Sequence, residues 1–128
     1  MVQRLILDSG AVIAAAKGNQ DVRRFIAAAR RAGSHVIIPP VVLTQTLRGG
    51  NRDAAVHQIL RQGFVTFVGS RLARRGGELL GAAGLDDAAD AQIMAEALRE
   101  TPCVLLTSDP EDMRALAGGR SDVRIVAI

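Results

Sequence analysis

From its amino end, the chain alternates short apolar runs with longer stretches in which apolar residues recur every three or four positions. Leu5, Ile6 and Leu7 form an unbroken apolar run, and "HVIIPP" and "CVLLTSD" repeat the pattern, as expected of strands buried on both faces of a parallel sheet. "FVTFV" and "VRIVAI" read as two further strands. After the first strand, Ala11 to Ala16 continue as a short helix, with Ser9 available to cap it. Val22, Phe25, Ile26 and Ala29 then share one helix face, with Arg23, Arg24, Arg30 and Arg31 largely off it, and Val56, Ile59 and Leu60 form a second buried stripe. Pro40 fits the first turn of a helix running from about Val41 to Arg48. From Ser70, a helix carries Leu72, Leu79, Leu80 and Ala83. Gly76 and Gly77 in its middle each cost about 1 kcal/mol relative to Ala, so the helix is expected to be loose or closely packed there. "DAQIMAEAL" and the residues after Pro110 supply two more helices. Strands alternating with helices over residues 1–128 predict a single α/β domain, a parallel sheet with helices on both faces.

The polar residues that interrupt this pattern are mostly acids at strand and helix ends. Asp8 follows the first apolar run and Asp109 follows "CVLLTS". The crevice outside the carboxyl ends of the strands is where open α/β sheets bind ligands, and if these two strands are neighbours their carboxylates converge. Asp90 falls in the first turn of a helix, at the same edge, on a face shared with Ile93, Met94 and Ala97 that is otherwise built for the core. Each acid also has a purely structural reading. Asp86 or Asp87 can cap that helix with Asp90 as its third residue, Asp109 can cap the helix at Pro110, and Asp112 can favour that helix's positive end. Capping explains each singly, but not why Asp8, Asp90 and Asp109 gather at one edge. Three carboxylates with no Lys or Arg in the same segments repel one another, and a divalent cation resolves the conflict. Oxygen-only ligands favour Mg²⁺ or Mn²⁺ over zinc, and metal-assisted phosphodiester hydrolysis is the chemistry such a site serves.

Composition narrows the partners. The 128 residues carry a net charge of +3, with fifteen Arg but only one Lys, Lys17. This balance is compatible with ordinary solvated surface, while the groups Arg23/Arg24, Arg30/Arg31 and Arg71/Arg74/Arg75 tilt it towards an anionic ligand. With three Phe and no Trp or Tyr, an aliphatic core is expected, and successive base stacking on aromatic rings is not. Cys103 stands alone, so neither an internal disulfide nor a cysteine zinc site is available and a reducing compartment, the cytoplasm, is expected. Asp8 interrupts the one stretch that could serve as a leader, and no run is long enough to span a bilayer. Phosphate-cradling loops and a G-x-S-x-G elbow are absent. His35 and His57 read as surface or packing residues, and a phosphoacceptor receiver would want a Lys after a late strand.

The order of motifs resembles a PIN domain of the VapC toxin-ribonuclease kind: "LILDSGAVIAA" at the start, "PPVVLTQTLRGG" in the third helix, "DAQIMAEAL" from Asp90, and "LLTSDPEDMRAL" around Asp109. The resemblance spans nearly the whole chain. It implies a PIN-like three-layer fold with a five-stranded parallel sheet, bound Mg²⁺ or Mn²⁺, endonucleolytic cleavage of RNA, homodimerisation and inhibition by a VapB-type antitoxin. Asp8, Asp90 and Asp109 match family acids by position, whereas the family's usual Glu in the third helix is here Gln45. Gln45 can still accept a hydrogen bond from a bound water or coordinate directly. Asp86 and Asp87, one turn before Asp90, and more weakly Asp112, are candidates for the missing charge, and Ser9 and Thr107 for hydrogen bonds to the carboxylates. The alternative implied by Gln45 is a catalytically silent PIN fold that binds RNA or a partner protein.

Overall fold

The computed structural model describes residues 3–128. The strands β1 (Arg4–Leu7), β2 (His35–Ile38), β3 (Phe64–Val65), β4 (Cys103–Thr107) and β5 (Val123–Ala127) form one sheet, ordered β3-β2-β1-β4-β5. Every pairing is parallel, so each connection is a crossover, and the helices α1 (Ser9–Ala16), α2 (Gln20–Arg31), α3 (Pro40–Thr46), α4 (Ala54–Leu60), α5 (Ser70–Ala83), α6 (Ala88–Ala97) and α7 (Pro110–Ala117) supply them. The three central strands explain the continuous apolar runs: Leu5, Ile6, Leu7, Ile38, Leu105 and Leu106 are all buried, with Ile93, Met94 and Met113 against them. The core is aliphatic, as composition implied.

Three expectations need correction. "FVTFV" is a strand only at Phe64–Val65, because β3 pairs solely with Ile37 and Ile38 at the end of β2; the last bond is from the Thr66 N–H to the Ile38 carbonyl. At this edge Phe64 and Phe67 are 64% and 81% exposed, so two of the three Phe lie outside the core. Helix α3 stops at Thr46 rather than Arg48, since Leu47 is already extended at φ −97° and ψ 141°. Helix α1 is capped by Asp8 rather than Ser9: the Asp8 carboxylate accepts from the Ala11 N–H. The glycine pair in α5 resolves to close packing at one position. Gly76 is buried where an added Cβ would collide with Gln92 Nε2 of α6, while Gly77 faces open space.

Candidate metal centre

Strand order decides the site. β1 and β4 are neighbours with Leu7 opposite Leu106, so Asp8 and Asp109, just past their carboxyl ends, meet where the winding reverses: β2 and β3 are added on one side of β1, and β4 and β5 on the other. Helix α6 begins at this rim and brings Asp90 in its first turn. Three of the sequence candidates therefore share one edge, and Coulombic repulsion from both Asp8 and Asp109 acts on Asp90.

Their surroundings differ. Asp8 is 3% exposed and fully engaged: one carboxylate oxygen accepts from the Ala11 N–H at 2.8 Å, the other from the Thr107 hydroxyl at 2.6 Å and the Ser108 N–H at 3.0 Å. Burial raises its pKa, and these hydrogen bonds to the charged form oppose the rise. The Thr107 hydroxyl accepts in turn from the Asp109 N–H at 2.9 Å, which links the two acids through one side chain. Of the two hydroxyls expected near the carboxylates, Thr107 bonds Asp8, and no such bond is found for Ser9 among the described residues. Asp109 occupies the N-cap position of α7 without a side-chain capping bond, so the capping reading does not account for it.

Asp90 is 9% exposed, and its Oδ2 is buried with no hydrogen-bond partner. Burial, followed by contact with Asp109 and the charge of Asp87, pushes its pKa up to about 7. Asp87 is the α6 cap: its carboxylate accepts from the Asp90 N–H at 3.0 Å. Asp112, from the first turn of α7, completes a group with Asp90 and Asp109 in which one carboxylate oxygen from each lies within 4.8 Å of the others. The negative charge of Asp109 raises the Asp112 pKa in turn. Asp8, Asp86 and Asp87 are not members of that group. None of these acids is salt-bridged to an Arg or Lys among the described residues. Gln45 lies on α3, which packs against α6, and its Oε1 is likewise buried without a donor. An orphaned carboxylate oxygen among unpaired carboxylates is the donor set a hard divalent cation takes.

Gly10 has no place in the reading of the sequence, yet the site depends on it. A Cβ there would collide with Ser108 Oγ and Ser108 Cβ, so only glycine lets α1 approach the loop carrying Asp109. A Gly two residues past a strand-ending Asp was the available signal. A larger groove, about 650 Å³ and lined by Phe67, Arg71, Leu72, Arg75, Leu98 and Arg99 among others, lies along α5 and α6 and contains none of the acids.

An all-parallel five-stranded sheet flanked by helices, with acids converging beside its central strand, is the PIN-like α/β fold that the motifs imply. Solved structures share it over nearly the full length of both chains. A chain of VapBC2 from Rickettsia felis, bound to a promoter DNA fragment, superposes with a TM-score of 0.76 at 14% identity, covering 98% of this chain and 99% of that one. A chain of VapBC-1 from nontypeable Haemophilus influenzae gives 0.68 at 15% identity, with 98% of each chain covered. A chain of FitAB bound to the IR36 DNA fragment gives 0.70 at 17% identity, with 96% and 94% covered. No protein-family model and no curated protein matches the sequence. Among the described residues no helix is long and apolar enough to cross a membrane.

Proposed function

We propose that this chain is a Mg²⁺- or Mn²⁺-dependent endoribonuclease, the toxin of a type II toxin–antitoxin pair, acting as a homodimer in the cytoplasm and inhibited by a VapB-type antitoxin. The observation that carries the reading is Asp90: a buried carboxylate with an unpartnered oxygen among other acids, at the sheet edge where this fold class binds ligands, with no salt bridge to a cationic side chain among the described residues. The solved neighbours, VapBC and FitAB, are two-component assemblies, which supports a partner protein.

A bound divalent cation supplies Lewis acidity at a phosphoryl oxygen and a water acidic enough to serve as nucleophile at neutral pH. The chain's own residues prepare the place. Asp8, Asp90 and Asp109 present the charge that holds the ion, Asp8 also fixes the β4–α7 loop through Thr107 and Ser108, and the Gln45 amide oxygen is free to accept from a water. The excess of Arg attracts the RNA backbone.

Purified protein incubated with a mixed RNA pool, with Mg²⁺ or Mn²⁺ and with EDTA, tests this. Cleavage that requires metal and falls by about 10³-fold in Asp90→Asn and in Asp109→Asn is expected, the loss of several kcal/mol of transition-state stabilisation. Absence of cleavage in wild type, with RNA still bound, moves the reading to the silent binding module that Gln45 suggests.

A further inference from the structure

Resting on the reading that RNA is the substrate, we propose that the groove between α5 and α6 is a second contact for single-stranded RNA, separate from the acid rim. Arg71, Arg75 and Arg99 hold its phosphates there, and Phe67 stacks on one of its bases. Every charged residue lining the groove is an Arg. Arg71 has no ion pair among the described residues. The pairs that Arg75 and Arg99 make with Glu78 and Glu96 are contacts of 3.4 Å from side chains 46% and 51% exposed. Ion pairs so open to water are weak, and each guanidinium keeps further N–H donors for a phosphate.

Phe67 gives the groove its second property. Its ring is 81% exposed and lies close over Gly69, where a Cβ would come 3.3 Å from Phe67 Cε1, so it lines the groove instead of entering the core. Leu72 and Leu98 add apolar surface beside it. An aromatic face among cations matches a nucleotide, whose base is planar and whose phosphate is anionic, whereas a purely apolar partner would leave three cations desolvated without a counter-charge. One ring stacks one base. The groove also runs towards the proposed cut. Gly76, next to Arg75, packs against Ala91 and Gln92 of α6, just past Asp90, while Leu98 caps the far end of that helix, roughly 12 Å along its axis from Asp90. Arg75 is thus nearest the rim, with Arg71 one helical turn away from it, and a strand of a few nucleotides reaches both places.

The test is binding of a fluorescently labelled single-stranded RNA of about ten nucleotides to the full-length chain, followed by anisotropy at several salt concentrations, with EDTA present so that metal-dependent cleavage does not intervene. Arg71→Ala/Arg75→Ala is expected to weaken binding by about tenfold or more at low salt, and to lower the slope of log affinity against log salt by about 1.4, or two phosphates at about 0.7 each. Phe67→Ala and Phe67→Leu are both expected to weaken it by about fivefold or more with the slope unchanged, since Leu keeps apolar bulk but loses the ring. Arg30→Ala/Arg61→Ala removes the same charge from the surface beside Ser34 and Gly63, and should change affinity by no more than about twofold. Melting curves show that each variant is folded. Unchanged affinity in Arg71→Ala/Arg75→Ala, an equal loss in Arg30→Ala/Arg61→Ala, or Phe67→Leu binding like wild type overturns the assignment. So does a change of sedimenting mass in Phe67→Ala without RNA, which gives the face to a protein contact. Metal-dependent cleavage by wild type alongside any of these leaves the nuclease reading standing, whereas the expected binding losses without cleavage keep the groove and remove the nuclease.

Discussion

Helix α6 buries an acid at each end, and the two meet opposite circumstances. Glu96, in its last turn, is 1% exposed and lies against Arg4 at the start of β1, Nη2 to Oε1 at 2.6 Å. The same guanidinium donates to the backbone carbonyls of Glu96 and Glu100, and Arg99 approaches the other Glu96 oxygen at 3.4 Å. Asp90, in the first turn, is 9% exposed with no cation and an orphaned oxygen. Burial alone does not mark a functional acid. Glu96 is fully accounted for by the fold, a buried charge with its counter-charge and hydrogen bonds in place, whereas Asp90 is a charge the fold leaves for something else to satisfy.

Breaking the satisfied end should cost the most. Glu96→Ala leaves Arg4 buried without its partner, and a loss of about 3–5 kcal/mol in urea unfolding is expected. The exposed Arg75–Glu78 pair, with side chains 46% and 68% exposed, is the contrast: Glu78→Ala should cost less than about 1 kcal/mol. Comparable losses in the two variants would remove the distinction between buried and surface pairing.

Gly10→Ala tests the acid-rich rim without replacing an acid. The added methyl must displace Ser108, and a loss of about 1–3 kcal/mol is expected from forcing volume into a packed junction. Stability equal to wild type would show that the β4–α7 loop yields freely and that Asp109 is not held by this contact.

The smallest effect is electrostatic. An aspartyl pKa raised from 3.8 in the unfolded chain to about 7 in the fold means that the native state binds the proton more tightly. The stability associated with that proton is complete at pH values below 3.8 and is lost as pH rises through about 7. Metal-free protein should therefore melt a few degrees lower at pH 8 than at pH 6, with Asp90→Asn flattening this dependence and saturating Mn²⁺ reversing it. A metal-free melting temperature that climbs over the same interval would contradict the placement of Asp90 in an unpaired site.

Much of this was legible before any coordinates. Alternation of apolar runs with helical stripes located every strand and every α-helix, because a strand buried on two faces keeps a continuous apolar run and a helix buried on one face keeps its 3.6-residue stripe. It over-extended the strand at "FVTFV", whose five apolar or β-branched residues read as one strand although the sheet offers only Ile37 and Ile38 as partners. The convergence of Asp8, Asp90 and Asp109 was inferred from strand-end placement, but adjacency of β1 and β4 could only be assumed, since strand order leaves no period in the sequence. Whether Asp87 capped α6 or served the site was open, and the hydrogen bond from the Asp90 N–H settles its capping role. The engagement of Asp8 by backbone donors, the nearness of Asp112 and the need for Gly10 arise from contacts between the β1–α1 and β4–α7 junctions, and such distances are not encoded locally.

The Thr107 hydroxyl reaches Asp8 across 99 residues of chain. During synthesis, then, β1 leaves the ribosome long before the strand that organises its acid has been made, and a nascent or truncated chain that stops short of β4 has neither the Asp8 latch nor Asp109. Such a long-range closure comes late in folding. For a molecule whose proposed chemistry is directed at RNA, competence is thereby tied to synthesis of β4 and the acid that follows it.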